Sequence, residues 1–515
     1  MNRVLPEGSP SGVELAGKII DGNFEVGFDC YGVPMGSTKH ISSELMNVAK
    51  EIAYDAIKTR EVLSTNKQAY WSALRLSISQ RFQYLCQHVQ PSLCEPVADW
   101  LDSQLWKEVE HLIGVDIPKG YRGQEGDVVI NLPVESLSGK SYQDWVLRLP
   151  IKLHGWGPRS LRDTCIPAYL GTLETSIPRM KDISPQLADI WGGEDYWGCR
   201  ADVSLRWSKL LDSKCIEAEE IRRAWGLLTE EANQSAKWLG VEVEQVFTLP
   251  ITGIGDGCIK GDTRTEIVSA RERTRAQLLS KALSLYQPKK ARPVLAWRQR
   301  DKLSSSWLLA LPGPELYLNN AEFSEAAASS LCLPSPACMD RLGEVIRHNK
   351  KVDQYGDNVQ SCPLPGDHWR KRHDLIKNTL HRLCQRASLP CEVEFFNLFS
   401  RYIPQQGLSR LEKDRDRQGL VPDLKITLTT GGKSSQVLHE VKCISSSKTK
   451  YKPSMIDRAV DRRADQLHKE YLSKARHADQ NFGGTPEGEV GRVERKLLTF
   501  PKVEGLVFGN WGEGS

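Results

Sequence analysis

Apolar residues recur every three or four positions over much of the first 300 residues, and this spacing predicts helices. The clearest apolar stripe runs from Trp71 to Val89 and predicts one helix that ends before Pro91. Glycines break the segment 149–171 into a loop that enters another helix. Further helices are predicted around 45–57 and at about 95–113, 201–247 and 264–286.

After Gly366 the pattern changes, because strand-like segments alternate with helices. A helix is predicted to begin at the N-cap Asp367 and to end before Pro390. A longer one is predicted to begin at a capping box of Ser454 and Asp457. Alternation and strand-forming residues predict strands at 391–399, 421–429, 435–444 and 503–511.

The two middle strands meet at Gly431 and Gly432, a pair that predicts a two-residue hairpin turn. Such a turn pairs residues whose numbers add up to 863, so Asp423 lies opposite Glu440. Paired side chains share one face with their Cβ atoms about 5 Å apart, and period-two alternation adds Lys442 to that face. The register therefore predicts two carboxylates and an amine side by side.

Two carboxylates at this separation repel each other unless a cation compensates their charge. Their hard oxygen atoms suit Mg²⁺, or Mn²⁺ in its place, and such an ion acidifies an attacking water and offsets phosphate charge. The Lys442 ammonium can orient that water. We therefore predict that Asp423, Glu440 and Lys442 are catalytic and that the two acids bind the metal.

The net charge of +4 on 515 residues is too small to indicate a nucleic-acid partner by itself. Residues 447–476, however, hold nine Lys or Arg and four acids, which favours contact with a phosphate backbone. The alternative is a solvated helix face with internal ion pairs. The predicted DNA-binding residues are Lys448, Lys450, Lys452, Arg458, Arg462 and Arg463.

The 13 cysteines are scattered without a Cys-x-x-Cys pair, which indicates reduced thiols rather than a secreted disulfide scaffold. The first residues lack the apolar core of a signal peptide, and no apolar run has membrane-spanning length. We therefore expect an intracellular protein, nuclear or cytoplasmic, that has no membrane partner.

The predicted domains follow the changes in pattern along the chain. A helical region is predicted at 1–180 and a second one at 181–300, with the segment 287–293 as a linker. The proline- and glycine-rich residues 301–365 predict an irregular connector. Residues 366–515 form the last predicted domain, which is α/β.

The order helix, strand, strand with Pro422-Asp423, strand with Glu440-x-Lys442, helix, strand resembles the PD-(D/E)XK fold, also called restriction-endonuclease-like. The resemblance implies a DNA endonuclease in which the two acids bind the catalytic metal and the lysine assists the attacking water. An acid on the first helix often joins them in that family, and Asp374 fits that position.

The rest of the chain resembles the downstream part of reverse-transcriptase reading frames from non-LTR-type retroelements. The motifs that carry this resemblance are YGVPMGS (31–37), the segment 149–171, WLLALPGPE (307–315), and YGDNVQSC followed by RKRHDLIK (355–377). It implies a mostly α thumb- and connection-like region and target-DNA nicking, with DNA and the element RNA as partners. The polymerase Tyr-x-Asp-Asp box is absent, so polymerase activity is not expected from this chain.

Such elements often carry a Cys/His zinc knuckle before the nuclease. Cys332, Cys338 and Cys362 are the candidate ligands here, but Asn358 stands where a histidine is expected and the paired spacing is lost. A structural zinc site needs four ligands, so we do not expect bound Zn²⁺.

Two histidines lie near the predicted site. His373 is expected to face solvent or to cap its helix, and His439 is expected to pack on the strand face opposite Glu440. Two hypotheses remain for the whole chain. The first is a metal-dependent endonuclease attached to a polymerase remnant, and the alternative is a non-catalytic nucleic-acid-binding remnant of a reverse-transcriptase polyprotein.

Overall fold

The computed structural model describes residues 17–20, 23–116, 128–132, 137–183, 218–242, 263–286, 291–301, 304–314, 317–362, 365–394, 397–407, 420–430, 433–444 and 458–509. The chain divides into two compact units. Unit 1 comprises Met1–Tyr286 and Ser305–Leu331, and unit 2 comprises Gln287–Ser304 and Cys332–Ser515. The protein is mostly helical with a small mixed sheet near the C-terminus. The four predicted domains remain predictions.

The helices of the described residues are, in chain order, α1 (Thr38–Val62), α2 (Lys67–Leu76), α3 (Gln83–His88), α4 (Pro91–Ile113), α5 (Tyr142–Arg148), α6 (Leu161–Ile183), α7 (Ala218–Leu239), α8 (Thr263–Leu285), α9 (Arg292–Gln299), α10 (Asn320–Ser330), α11 (Pro336–Met339), α12 (Asp357–Gln360), α13 (His368–Arg386), α14 (Asn397–Ser400), α15 (Ala459–Asn481) and α16 (Arg492–Leu497). The strands are β1 (Gly17–Ile20), β2 (Asn23–Cys30), β3 (Val33–Gly36), β4 (Val129–Ile130), β5 (Lys140–Ser141), β6 (Cys391–Val393), β7 (Leu424–Thr430), β8 (Lys433–Cys443) and β9 (Val503–Phe508).

Unit 1 contains the antiparallel sheet β1-β2-β3, the two-stranded sheet β4-β5 and the helices α1 to α8 and α10. The single helix predicted from Trp71 to Val89 is wrong, since α2 and α3 are separated by a 3₁₀ turn at Ile78–Gln80. The Ser79 hydroxyl donates to the Arg75 carbonyl oxygen at 3.0 Å, a local bond that competes with helix continuation. The predicted stripe is nevertheless buried throughout.

An aromatic cluster forms part of the core of unit 1. Trp156 is fully buried and packs edge-on against Trp71 at 5.2 Å and Trp307 at 6.1 Å between ring centroids. Its indole N–H donates to Ser330 Oγ at 3.2 Å. A Cβ atom at Gly155 would lie 1.9 Å from the Leu149 carbonyl oxygen, so only glycine permits this turn. The loop that enters α6 is thus part of the packed core of unit 1.

Unit 2 contains the sheet β6-β7-β8-β9. Strands β6, β7 and β8 pair antiparallel, whereas β8 and β9 pair parallel. The β7–β8 ladder runs from Leu424 opposite His439 to Thr430 opposite Lys433, so every pair adds up to 863 and the predicted register is confirmed. Gly431 and Gly432 lie outside the described residues.

Helices α13 and α15 cover this sheet. Tyr471 of α15 packs in one buried cluster with Leu438 of β8, whose side chain lies on the same strand face as Glu440. Helix α13 contacts β6, β7 and β8, and its Arg372 bonds to the Cys443 thiol on the opposite face of β8. The predicted order of helix, strand, strand, strand, helix and strand corresponds to α13, β6, β7, β8, α15 and β9, with the short helices α14 and α16 inserted before β7 and β9.

Several local predictions for unit 2 are wrong. Asp367 precedes α13 in the left-handed region, with φ of 54°, and its side chain makes no capping bond. The strand predicted at 391–399 ends at Val393, because Glu394 adopts φ of 48° and its N–H donates to the Asp423 carbonyl oxygen. The segment 301–365 of the predicted connector extends into unit 1, where it includes helix α10, which begins at a capping box of Asn319 and Glu322. The capping box predicted at Ser454 and Asp457 lies outside the described residues.

The predicted linker 287–293 also differs from the structure. Residues 287–290 lie outside the described part, but Arg292 and Pro293 belong to the first turn of α9. Proline suits this position because its missing N–H would have no partner within the helix.

Replacing Trp156 by alanine should lower the free energy of unfolding of unit 1 by about 3–5 kcal/mol, because it removes a fully buried ring and leaves a cavity. Urea unfolding followed by circular dichroism measures this change. The half-buried Trp238 of α7 provides the matched control, and Trp238→Ala should cost far less. Equal losses in the two variants would contradict the importance of the cluster.

Candidate active site

Asp423 immediately precedes β7, and its carboxylate is anchored to the neighbouring strand. Its Oδ2 atom accepts the backbone N–H of Val441 at 2.8 Å. Val441 lies between Glu440 and Lys442, so this bond places Asp423 beside both predicted partners. The observed ladder ends at Leu424 opposite His439, one position short of the predicted pair of Asp423 and Glu440.

Glu440 is largely buried, with 12% of its side chain exposed. Its Oε2 atom accepts the Tyr471 hydroxyl at 2.6 Å, and its Oε1 atom pairs with the Lys442 ammonium. Burial and then the nearby charge of Asp423 raise the pKa of Glu440, although Lys442 opposes this shift. The two predicted metal ligands therefore repel each other electrostatically.

Tyr471 of α15 is a further residue of the site, which its contact with Glu440 identifies. Its hydroxyl also lies 3.3 Å from the Val421 carbonyl oxygen, so it links α15 to both strands of the hairpin. Burial, followed by the charge of Glu440, raises the pKa of Tyr471 well above its ordinary value. The phenol therefore stays protonated and acts as a hydrogen-bond donor to Glu440.

His373 lies in the site, so the expectation that it faces solvent or caps α13 is wrong. Its Nε2 atom is 3.1 Å from Asp423 Oδ2, and its Nδ1 atom is 3.2 Å from Asp374 Oδ1. The hydrogen bond to Asp423 raises the pKa of His373, and burial only partly offsets that effect. A charged imidazolium can donate to both carboxylates at once.

Asp374 reaches the site through its neighbours. It accepts the Lys377 ammonium at 3.0 Å, and this hydrogen bond lowers the pKa of Asp374. Lys377 is 5% exposed and also pairs with Glu394. Burial alone would lower the pKa of Lys377, but its bonds to Glu394 and Asp374 outweigh burial and raise it. Lys377 follows His373 by four positions and Asp374 by three, and this helical spacing is the feature of the sequence that indicates their contact.

The predicted metal ligands are not all equivalent in the structure. Among the described residues, the oxygens of Asp374, Asp423 and Glu440 do not come within 4.8 Å of one another as a set of three. Asp423 and Glu440 form the inner pair, and His373 separates Asp374 from Asp423. Asp423 Oδ1 makes no hydrogen bond within the described part of the chain and can accept a ligand.

The predicted DNA-binding residues fall into two groups. Lys448, Lys450 and Lys452 lie outside the described residues. Arg458 forms ion pairs with Asp461 at 2.8 Å and Asp301 at 2.6 Å. Arg463 pairs with Glu470, and Arg462 is half-buried on the same helix. Their charges are therefore largely compensated within the chain, which favours the ion-paired alternative for Arg458 and Arg463.

The cysteines considered as a zinc knuckle lie apart from one another. Cys332, Cys338 and Cys362 are buried, and the Cys362 thiol donates to the Arg347 carbonyl oxygen at 3.2 Å. The backbone N–H of Asn358 donates to the Asp353 carboxylate, and its side-chain amide donates to the Lys351 carbonyl oxygen. Within the described residues these three thiols do not form a metal-sized group.

No protein-family model matches the chain, and no curated protein matches it. The described helices include none with the length and apolar character needed to span a membrane.

His373 should keep its proton above pH 6.5 in the folded protein, because the hydrogen bond to Asp423 raises its pKa. Its pair with Asp423 should stabilise the fold fully below the unfolded pKa of about 6.5, and this contribution should be lost as the pH rises through the folded pKa. Imidazole NMR titration, assigned with His373→Gln, measures the folded value.

The Asp423→Asn variant should lower this pKa because it removes the paired charge, whereas Asp367→Asn, an exposed aspartate at the start of α13, should leave it unchanged. A wild-type His373 that titrates at or below 6.5 would show that the pair is not formed.

Proposed function

We propose that the C-terminal part of unit 2 is a Mg²⁺- or Mn²⁺-dependent DNA endonuclease that hydrolyses a phosphodiester bond and nicks DNA. The observation that carries the proposal is the bond from the Val441 N–H to Asp423, which holds one acid beside the Glu440-x-Lys442 triplet. Two acids that can hold a divalent cation, with a lysine beside them, can support metal-assisted phosphate hydrolysis.

The donor set fits a hard divalent cation. Asp423 and Glu440 offer carboxylate oxygens, and the charge of one raises the pKa of the other. A cation held by both would convert this repulsion into attraction. When bound there, Mg²⁺ would acidify a water molecule and offset charge on the phosphate. The ion suits a site with one or two carboxylates because it retains part of its water shell.

Lys442 is the residue best able to act on the phosphate or on the attacking water. Its side chain is 37% exposed, whereas that of its partner Glu440 is 12% exposed, so the ammonium can turn toward solvent. The lysine side chain is flexible and ends in a compact charge, so the ammonium can move between Glu440 and a bound phosphate or water. In the proposed reaction Lys442 orients the attacking water and stabilises the transition-state charge.

His373 and Tyr471 are positioning residues in this proposal. His373 donates to the Asp423 carboxylate, and Tyr471 donates to that of Glu440. Each acid is thereby fixed by a neighbour from a different helix, α13 for Asp423 and α15 for Glu440. Fixed ligands need little reorganisation when an ion or substrate binds.

The element order α13, β6, β7, β8, α15, β9 supports assignment of this region to the PD-(D/E)XK fold. The sequence motifs support derivation of the remaining chain from a non-LTR-type reverse transcriptase, whose element RNA would be a further partner. We ascribe no polymerase activity to this chain, because the Tyr-x-Asp-Asp box is absent from its sequence.

The wild-type protein should nick supercoiled plasmid in Mg²⁺ or Mn²⁺, and Asp423→Asn and Lys442→Ala should each slow nicking by about 100-fold or more. Agarose gel electrophoresis of the relaxed product measures the rate. Asp465→Asn and Lys502→Ala serve as matched controls, since they remove the same kinds of charge from an exposed ion pair of unit 2.

A gel-shift assay in Ca²⁺ separates binding from hydrolysis. Retained DNA binding together with absent nicking by the wild-type protein would favour the non-catalytic nucleic-acid-binding remnant. Nicking at equal rates by wild-type, Asp423→Asn and Lys442→Ala proteins would refute the assignment of the site.

The Tyr471→Phe variant should shift the acidic limb of the nicking profile to higher pH. The Tyr471 hydroxyl stabilises the charged form of Glu440 in the wild-type protein. Its removal should therefore raise the pKa of Glu440, which burial already raises. Initial nicking rates between pH 5 and 9 measure the shift. Tyr402→Phe, in the same core cluster, is the control that should leave the profile in place, and an unmoved Tyr471→Phe profile would exclude the proposed role.

A further inference from the structure

Three cysteines far from the hairpin site converge inside unit 1. Cys86 belongs to α3, Cys94 to α4 and Cys165 to α6, and all three side chains are buried without measurable exposure. Among the described residues, these three sulfur atoms form a group of potential metal ligands that all lie within 4.8 Å of one another. The sequence pattern missed the cluster because its members are separated by 8 and 79 positions from Cys86.

The sulfur separations match the edges of a metal coordination shell. Cys86 Sγ lies 3.9 Å from Cys94 Sγ and 3.6 Å from Cys165 Sγ. Tetrahedral coordination with Zn–S bonds of about 2.3 Å places sulfurs about 3.8 Å apart. A disulfide needs about 2.05 Å, so none of these thiols is bonded to another.

The three sulfurs already lie close enough for S–H···S hydrogen bonds, which Cys94 and Cys165 each donate to Cys86. Metal binding at this cluster would release thiol protons, because the thiolate is the form of cysteine that binds a metal ion.

We propose that Cys86, Cys94 and Cys165 bind one thiophilic metal ion, with Zn²⁺ as the ion that the sulfur spacing fits. The ion would join α3, α4 and α6 and would stabilise unit 1. This site is separate from the proposed nuclease site in unit 2. Cu⁺ shares the preference for thiolate ligands and is the competing occupant. Three sulfurs leave one position of a tetrahedral zinc ion for water or another group.

The simplest alternative is a packed cluster of neutral thiols. Buried cysteines commonly behave as small apolar side chains. The Cys165 thiol also has an acceptor without any metal, because the Leu161 carbonyl oxygen lies 3.3 Å from its sulfur. A measured stoichiometry of metal per chain separates the two interpretations.

Full-length protein purified with reductant should retain about one Zn²⁺ per chain after gel filtration, as measured by inductively coupled plasma mass spectrometry. Replacement by Co²⁺ should produce thiolate-to-cobalt charge-transfer absorption. In the Cys94→Ser variant, the bound Zn²⁺ per chain and the Co²⁺ absorption should each fall at least about tenfold. The Cys338→Ser variant, which replaces a buried cysteine of unit 2, should retain both. Parallel loading with Cu⁺ identifies the preferred ion.

A second measurement applies if Cys94→Ser does not fold. In the wild-type chain, Zn²⁺ should slow alkylation of Cys86, Cys94 and Cys165 in dilute urea, whereas Cys332 and Cys362 should react at an unchanged rate. Wild-type protein that retains neither Zn²⁺, Co²⁺ nor Cu⁺ through these thiols, or metal lost from Cys338→Ser but kept by Cys94→Ser, would overturn the proposal. Absent protection of the three thiols would do the same.

Discussion

The hydrogen bond from the Val441 N–H to the Asp423 carboxylate is the interaction on which the candidate active site depends. It occurs where the β7–β8 ladder ends, and the hairpin register decides which backbone amide faces the aspartate. A shift of one residue would move Glu440 and Lys442 to the other face of β8. The chemistry proposed for the site therefore depends on strand pairing before it depends on any side chain.

The charges around this bond form one connected network. Lys442 pairs with Glu440 on one side, while His373, Asp374, Lys377 and Glu394 extend from Asp423 on the other. Arg370 lies 3.7 Å from Asp374, so four carboxylates face two lysines, one arginine and one histidine, and their charges balance when the imidazole is protonated. A divalent cation at the inner pair would offset the local repulsion between Asp423 and Glu440, which links the electrostatics of the fold to the proposed hydrolysis.

The sequence alone predicted the parts of this arrangement that are local. The register followed from one Gly-Gly pair, and the helical period of the apolar residues in α15 agrees with the burial of Leu467, Tyr471 and Ala475. His373 was missed because its partner Asp423 is 50 positions away, and only the packing of α13 on the sheet brings them together. The three thiols of unit 1 were missed for the same reason. The end of the β6 strand depends on the positive φ of Glu394, which neither propensity nor alternation indicates.

Iron-directed cleavage tests most directly whether Asp423 and Glu440 share one divalent cation. Fe²⁺ with ascorbate and peroxide replaces Mg²⁺ and generates radicals that cut the backbone beside the bound ion, and mass spectrometry locates the cuts. We expect paired cuts near 421–424 and 439–442 that excess Mg²⁺ suppresses and that Asp423→Asn abolishes. Cuts at only one of these segments, or cuts that persist in Asp423→Asn, would contradict the shared site.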